Sequence, residues 1–297
     1  MRWWTALSIT LGSLAVSSVA HAGAPEIEFT DPDRDDYGPG NYVYPNHPYF
    51  FPRGVFDLKA FRVRDAGRDW LFEVEVDLPT PQPIELRRTA AAVVRFDQQV
   101  FFQNFDIYLR TPEAERVDVR QHEDSVPGRN FGFLPGEGWN RAIIITPYPY
   151  QVRTLLVDWP GVEDTIVPDN VNRIGPRFLV KIPKEKISRE PPSTWRFAVA
   201  VSGAVPLVVH YRRADAEFVN AHTMPARPNP GDMNFGGADL SPYNPSVIDL
   251  LAPTREAQRE ALGADNSVRR QSLVRIGLWH GASFAEDPRK SSFTATR

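Results

Sequence analysis

The chain contains no cysteine. That excludes a disulfide framework, thiolate metal sites and covalent c-type haem attachment. It also lacks charge of one sign. The 297 residues carry a formal net charge of −3, and Lys and Arg are scattered without a basic stripe. A nucleic-acid-binding surface is therefore not expected. Histidine is sparse, six in all, and its spacing matches no zinc site. There is no Gly-x-Ser-x-Gly elbow. Gly236-Gly237 follows no strand–helix phosphate motif. Carboxylates are spread too evenly for spacing to select a general acid and base. These absences predict a protein that is not an enzyme.

Long apolar runs are missing beyond the first 20 residues. Arg2 gives a positive start, 3–20 is mostly apolar and small, and Ala20-His-Ala22 is a small-x-small cleavage site. Thr5, Ser8, Thr10, Ser13, Ser17 and Ser18 interrupt the run, which favours a cleaved secretory signal over a membrane anchor. Residues 1–22 are thus expected to be removed. The mature chain would start at Gly23, carry no membrane span, and be exported to the periplasm or beyond it.

What the chain does have is turn formers and rings: 28 prolines, 19 glycines and 11% aromatics. That mixture predicts short strands joined by rigid turns. Strand-like runs cover 56–63, 70–76, 100–110, 140–146, 154–159, 177–183, 195–202 and 207–211, and 271–279 is a final strand candidate. In 70–77, Phe72, Val74 and Val76 alternate with Glu73, Glu75 and Asp77, as in a strand with one wet face. Trp139-Asn-Arg-Ala142 and Trp195-Arg-Phe-Ala198 echo one another before β-branched runs, compatible with two similar sheets packed face to face. Residues 217–249 read as long ordered loops. A helix is expected over 253–262, capped by Thr254 and ended by Gly263. The fold class is all-β, an antiparallel, immunoglobulin-like β-sandwich with long loops and one short C-terminal helix. A single domain spans 23–280, and 281–297 is a frayed tail.

Three groups of residues invite chemistry. The first is Asp31-Pro-Asp-Arg-Asp-Asp-Tyr-Gly-Pro-Gly40, with four carboxylates in six residues before a forced turn. Carboxylates that dense repel one another unless a cation sits among them, and oxygen-rich turns suit calcium. The expected ligands are Asp31, Asp33, Asp35 and Asp36, with Asp57 completing the shell. The plainer alternative is a solvated Asx-rich turn. The second group is a carbohydrate platform of Tyr148, Tyr150 and Trp159, since flat rings pack on the C–H faces of sugars. Trp139 and Trp195 precede core strands and read as packing. The third is a set of possible haem ligands, His47, His122, His210, His222, Met224 and Met233, with no diagnostic spacing.

Several motifs occur in order: the acidic stretch with Tyr42-Val-Tyr-Pro45, Gly54-Val-Phe-Asp-Leu58, Phe105-Asp-Ile-Tyr108, Pro127-Gly-Arg-Asn130, Trp139-Asn-Arg-Ala-Ile143, Ile182-Pro-Lys184 with Trp195-Arg-Phe-Ala-Val199, and Phe235-Gly-Gly237 with Asn244-Pro-Ser-Val-Ile-Asp249. In these the chain resembles the C-terminal binding-module family of glucodextranase and related bacterial amylases and pullulanases, a DOMON-like β-sandwich group. The resemblance implies binding of a polysaccharide, an envelope glycan or the cell surface. DOMON-like relatives also include haem-binding electron-transfer proteins. Three readings therefore stay open: a calcium-stabilised carbohydrate- or surface-binding module, a periplasmic haem or electron-transfer subunit, and a structural envelope protein with a protein partner.

Overall fold

The computed structural model describes residues 24–38, 53–78, 101–204, 210–212, 217–219, 245–263 and 273–281. The expected signal segment, the 39–45 part of the entry motif, Phe235-Gly-Gly237, Asn244 and the tail beyond 281 lie outside the described residues. So do His47, His222, Met224 and Met233.

Two sheets form a sandwich. The first has strand order β1 (Ile27–Thr30), β2 (Leu58–Ala66), β3 (Asp69–Val76), β9 (Arg177–Pro183), β8 (Asn172–Ile174), all antiparallel. Its core face carries Phe61, Val63, Phe72, Val74, Phe178 and Val180. On its other face Arg62 pairs with Glu28, Glu73 and Glu75. The alternation along 70–77 is this one-sided burial.

The second sheet has order β13 (Asp249–Leu250), β10 (Arg196–Gly203), β4 (Gln103–Arg110), β6 (Arg141–Ile145), β7 (Thr165–Ile166), with β15 (Trp279–His280) also on β10. It is covered on both faces. Phe105, Ile107, Ile143, Val199 and Val201 meet the first sheet. Tyr108, Ala142, Ile144, Ala198 and Ala200 face a second apolar layer. Tyr108 is flanked in register by Ala142 and Ala198, whose small side chains leave room for its ring. That ring meets Phe131, Phe133 and Trp139. Phe131 and Phe133 belong to β5 (Phe131–Phe133), which pairs in parallel with β14 (Val274–Ile276). Thus the 271–279 run holds two short strands rather than one. In the remaining pair, β11 (His210–Arg212) overlaps the strand expected over 207–211 and is antiparallel to β12 (Glu217–Val219), which falls at the start of the segment expected to be all loop.

Among the described residues there are three short α-helices: α1 (Pro149–Leu156), α2 (Lys184–Ile187) and α3 (Arg255–Ala261). None is long and apolar enough to cross a membrane. The α3 helix is the one expected, with the Thr254 hydroxyl accepting from the Ala257 N–H at 3.1 Å and Gly263 at φ +62. The strand expected over 154–159 is not there. Pro149 opens a helix, where its missing N–H costs nothing. Val152 and Leu156, four apart, bury against the second layer.

The echoing Trp139 and Trp195 are both fully buried and precede β6 and β10. These strands flank β4 within one sheet, so the echo does not mark two sheets. Trp139 belongs to the second layer and Trp195 to the sandwich core.

The second layer also holds an ion pair with no exposure. Arg129 donates from Nε and Nη2 to Asp106 at 2.7 and 2.9 Å. Burial alone would depress the guanidinium pKa, but Asp106 outweighs it and raises the value. Breaking such a pair strands a charge. Arg129→Met is expected to lower unfolding stability by about 3–5 kcal/mol in urea titrations, with Asp106→Asn similar in direction. A loss under about 1 kcal/mol for both, the range of a surface pair, would contradict this.

Candidate functional site

The acidic loop leaves β1 and runs beneath α3. The Asp31 N–H donates to the Lys59 carbonyl at 3.0 Å, extending the β1–β2 ladder by one residue. Asp31 Oδ1 accepts from the Ala252 N–H at 2.8 Å. Arg34 then takes a left-handed conformation, φ +60, and its N–H donates to both oxygens of Asp57 at 3.1 and 3.0 Å. Gln258 of α3 donates to the Asp35 carbonyl and accepts from the Leu250 N–H. Gly38 donates to the Ile248 carbonyl at 2.8 Å. The loop is thereby tied to both β2 and the strand–helix segment around β13.

This path sorts the carboxylates. Asp31, Asp35, Asp36 and Asp57 are buried, at 3%, 0%, 2% and 1% exposure. Asp33 faces solvent and pairs with Lys59 Nζ at 2.7 Å. Asp57 also takes Lys59, at 2.8 Å. Lys59 sits where the β2–β3 register shifts between Leu58 and Ala60, beside the loop. Asp31 and Asp35 come together with Asp249, which is fully buried on β13; one oxygen from each lies within 4.8 Å of the others. Asp33, Asp36 and Asp57, the other three expected ligands, are not in that trio.

Asp249 escaped the sequence reading. Nothing in its neighbourhood is acid-rich, and only the pairing of β13 with β10 carries it to the loop. Its Oδ2 accepts from the Leu58 N–H at 2.6 Å, so it also reaches the first sheet. A usable signal existed in its place inside Asn244-Pro-Ser-Val-Ile-Asp249, since Asp ends an apolar pair there.

The electrostatics are unfavourable for bare carboxylates. Among the described residues, both oxygens of Asp35 and Oδ2 of Asp31 are buried without a hydrogen-bond donor. Burial, then Asp57, pushes the Asp35 pKa up to about 7. Burial, then Asp249 and Asp35, raises Asp31 well above the usual carboxylate range. Burial, then Asp35, does the same to Asp249. Arg255 donates to the Asp33 carbonyl, and its charge lowers the Asp35 value without offsetting the burial. Such a pocket either takes up protons or holds a cation, and its all-oxygen donors suit a hard ion.

The aromatic residues lie elsewhere. Tyr148 caps α1 and is half-buried, and burial pushes its pKa up to about 12. Tyr150 is 72% exposed. Trp159 lies beyond the other end of α1, which is about 12 Å long by the rise per residue. Trp159 is half-buried and stacks on Trp139, with ring centroids 5.9 Å apart at 30°. Its ring covers Gly161, where a Cβ would fall 2.4 Å from it. His122 completes the cluster, 4.4 Å from the Trp139 ring. His122 Nε2 lies 2.8 Å from Asp164, whose other oxygen accepts from Arg141 at 2.6 Å. Of the haem-ligand candidates, His122 is therefore engaged with Asp164.

Those of the motifs that lie on described residues fall within the two sheets, the second layer and the acidic loop, and a known family accounts for the sequence. The sequence profile of the glucodextranase C-terminal binding module, described as SLH-like, matches residues 27–275. The chain belongs to this family. The glucodextranase-type module is a binding module, and here it spans both sheets, the second layer and the acidic pocket. No curated protein matches the chain.

The pocket's titration has a defined sign without a cation. Folded-state carboxyl pKa values raised above the unfolded 3.8 mean that the native state binds the extra protons. That stability is complete below the unfolded value and is lost as pH rises through about 7. In chelator, the melting temperature is expected to fall between about pH 4 and pH 7. Asp35→Asn should flatten the slope. A wild-type slope of the opposite sign would contradict the account.

Proposed function

We propose that this protein is an exported, non-catalytic module that binds a polysaccharide or envelope glycan, with a calcium ion stabilising its acidic loop. The family match over residues 27–275 carries this reading. The DOMON-like sandwich relationship belongs to the same reading. Export rests on the pattern of Arg2, the apolar run and Ala20-His-Ala22.

Trp159 is the first candidate for the sugar platform. It is a half-buried indole with His122, Asp164 and Arg141 beside its stack, a ring plus polar groups able to hold hydroxyls. Tyr150 is the exposed second ring at the far end of α1. A chain of several sugar units would be needed to touch both.

Affinity electrophoresis against α-glucans, β-glucans and peptidoglycan tests the reading. Retardation by one polymer is expected, with Trp159→Ala weakening it about tenfold and Tyr150→Ala less. Circular dichroism of Trp159→Ala guards against lost folding. No retardation by any polymer would overturn the glycan reading, and a Soret band in natively purified protein would replace it with the haem one. The N-terminus of the exported protein is expected to be Gly23; retention of residues 1–22 would contradict cleavage.

A further inference from the structure

We infer that Asp31, Asp35 and Asp249 form a divalent-cation site that latches the N-terminal strand to the second sheet, and that Asp33 and Asp57 are not its ligands. This deepens the cation part of the reading above and is independent of the glycan part. Two carboxylates of the acidic loop and a third from β13, more than 200 residues on, converge with one oxygen each within 4.8 Å. Asp35 is fully buried with neither oxygen hydrogen-bonded, and Asp31 Oδ2 is in the same state. Buried polar atoms are normally satisfied, so oxygens aimed into an acidic pocket point to a missing cation.

The neighbouring positive groups do not supply it. Lys59 is held by Asp33 and Asp57, and Arg255 by the Asp33 carbonyl. Both oxygens of Asp57 already accept the Arg34 N–H. Asp33 is at 76% side-chain exposure on the outer side of Lys59. The donors are hard oxygens of irregular arrangement, which suits calcium better than magnesium with its octahedral demand.

The latch follows from the chain positions. Asp31 ends β1 of the first sheet and accepts from Ala252, 221 residues away in sequence. Asp249 lies on β13 of the second sheet and accepts from Leu58 at the start of β2. One ion therefore fastens β1, the start of β2, and β13 with α3. Without it, the same contacts hold three repelling charges together.

The test is thermal melting and isothermal titration calorimetry of ion-stripped protein with calcium chloride and magnesium chloride. One calcium per chain is expected, with melting raised by roughly 5 °C at millimolar calcium and less by magnesium. Asp35→Asn and Asp249→Asn should lose the response, and Asp33→Asn should keep it. At pH 8 in chelator, where Asp35 has given up its proton, Asp35→Asn should melt above wild type, because it removes a buried repelling charge; in calcium it should melt below. That reversal of order separates a lost ligand from a damaged fold. A wild-type melting curve unmoved by calcium overturns the site, as does a full calcium response in Asp35→Asn. If calcium stabilises the protein but no glycan retards it, only the glycan reading fails. If glycan retardation persists in a protein that ignores calcium, only the cation site fails.

Discussion

Like charge packed out of water is the constraint on which the arrangement of this molecule turns. Asp31, Asp35 and Asp249 sit where the first sheet, the second sheet and α3 converge. Their backbones are fixed by ladder bonds and by Gln258, so the carboxylates cannot swing apart into solvent. Repulsion at that spacing acts against the closure of the sandwich edge unless protons or a cation offset it. Elsewhere the same fold resolves buried charge locally. Arg129 and Asp106 neutralise one another with two good hydrogen bonds inside the second layer. Among the described residues, no cation makes such a pair with Asp31, Asp35 or Asp249.

The second sheet explains the rest of the architecture. Because both its faces are buried, its central strands carry apolar residues on both sides, and something must cover the face opposite the sandwich. Turns rich in Pro and Gly, α1, α3 and the β5–β14 pair provide that cover. The covering layer in turn creates the aromatic cluster of buried Trp139 and His122 with half-buried Trp159. Ring cluster and acidic pocket are thus separate products of one design, the first on the covering layer and the second at the seam between layers.

How much of this was legible in the sequence depends on how local each cause is. The alternation at 70–77 gave β3 directly, since one wet face writes itself into every second residue. Thr254 and Gly263 gave α3 because caps are local signals. Asp31 and Asp35 stood out by density alone. Asp249 did not, because its role depends on a strand pairing across the whole chain. Asp33, equally prominent by density, is exposed and pairs with Lys59, outside the trio. The run 154–159 read as a strand since Leu155, Leu156 and Val157 are consecutive apolar residues, whereas the buried spacing of Val152 and Leu156 is helical. The Trp echo marked strands of one sheet on either side of β4, a relation that repeat spacing does not encode.

A crystal structure of protein grown in calcium tests the central claim most directly. The account predicts one ion bound by oxygens of Asp31, Asp35 and Asp249 at about 2.3–2.6 Å, with Asp33 still on Lys59. An ion held instead by Asp33 and Asp57, or a pocket closed by a side-chain cation with no ion in it, would contradict it.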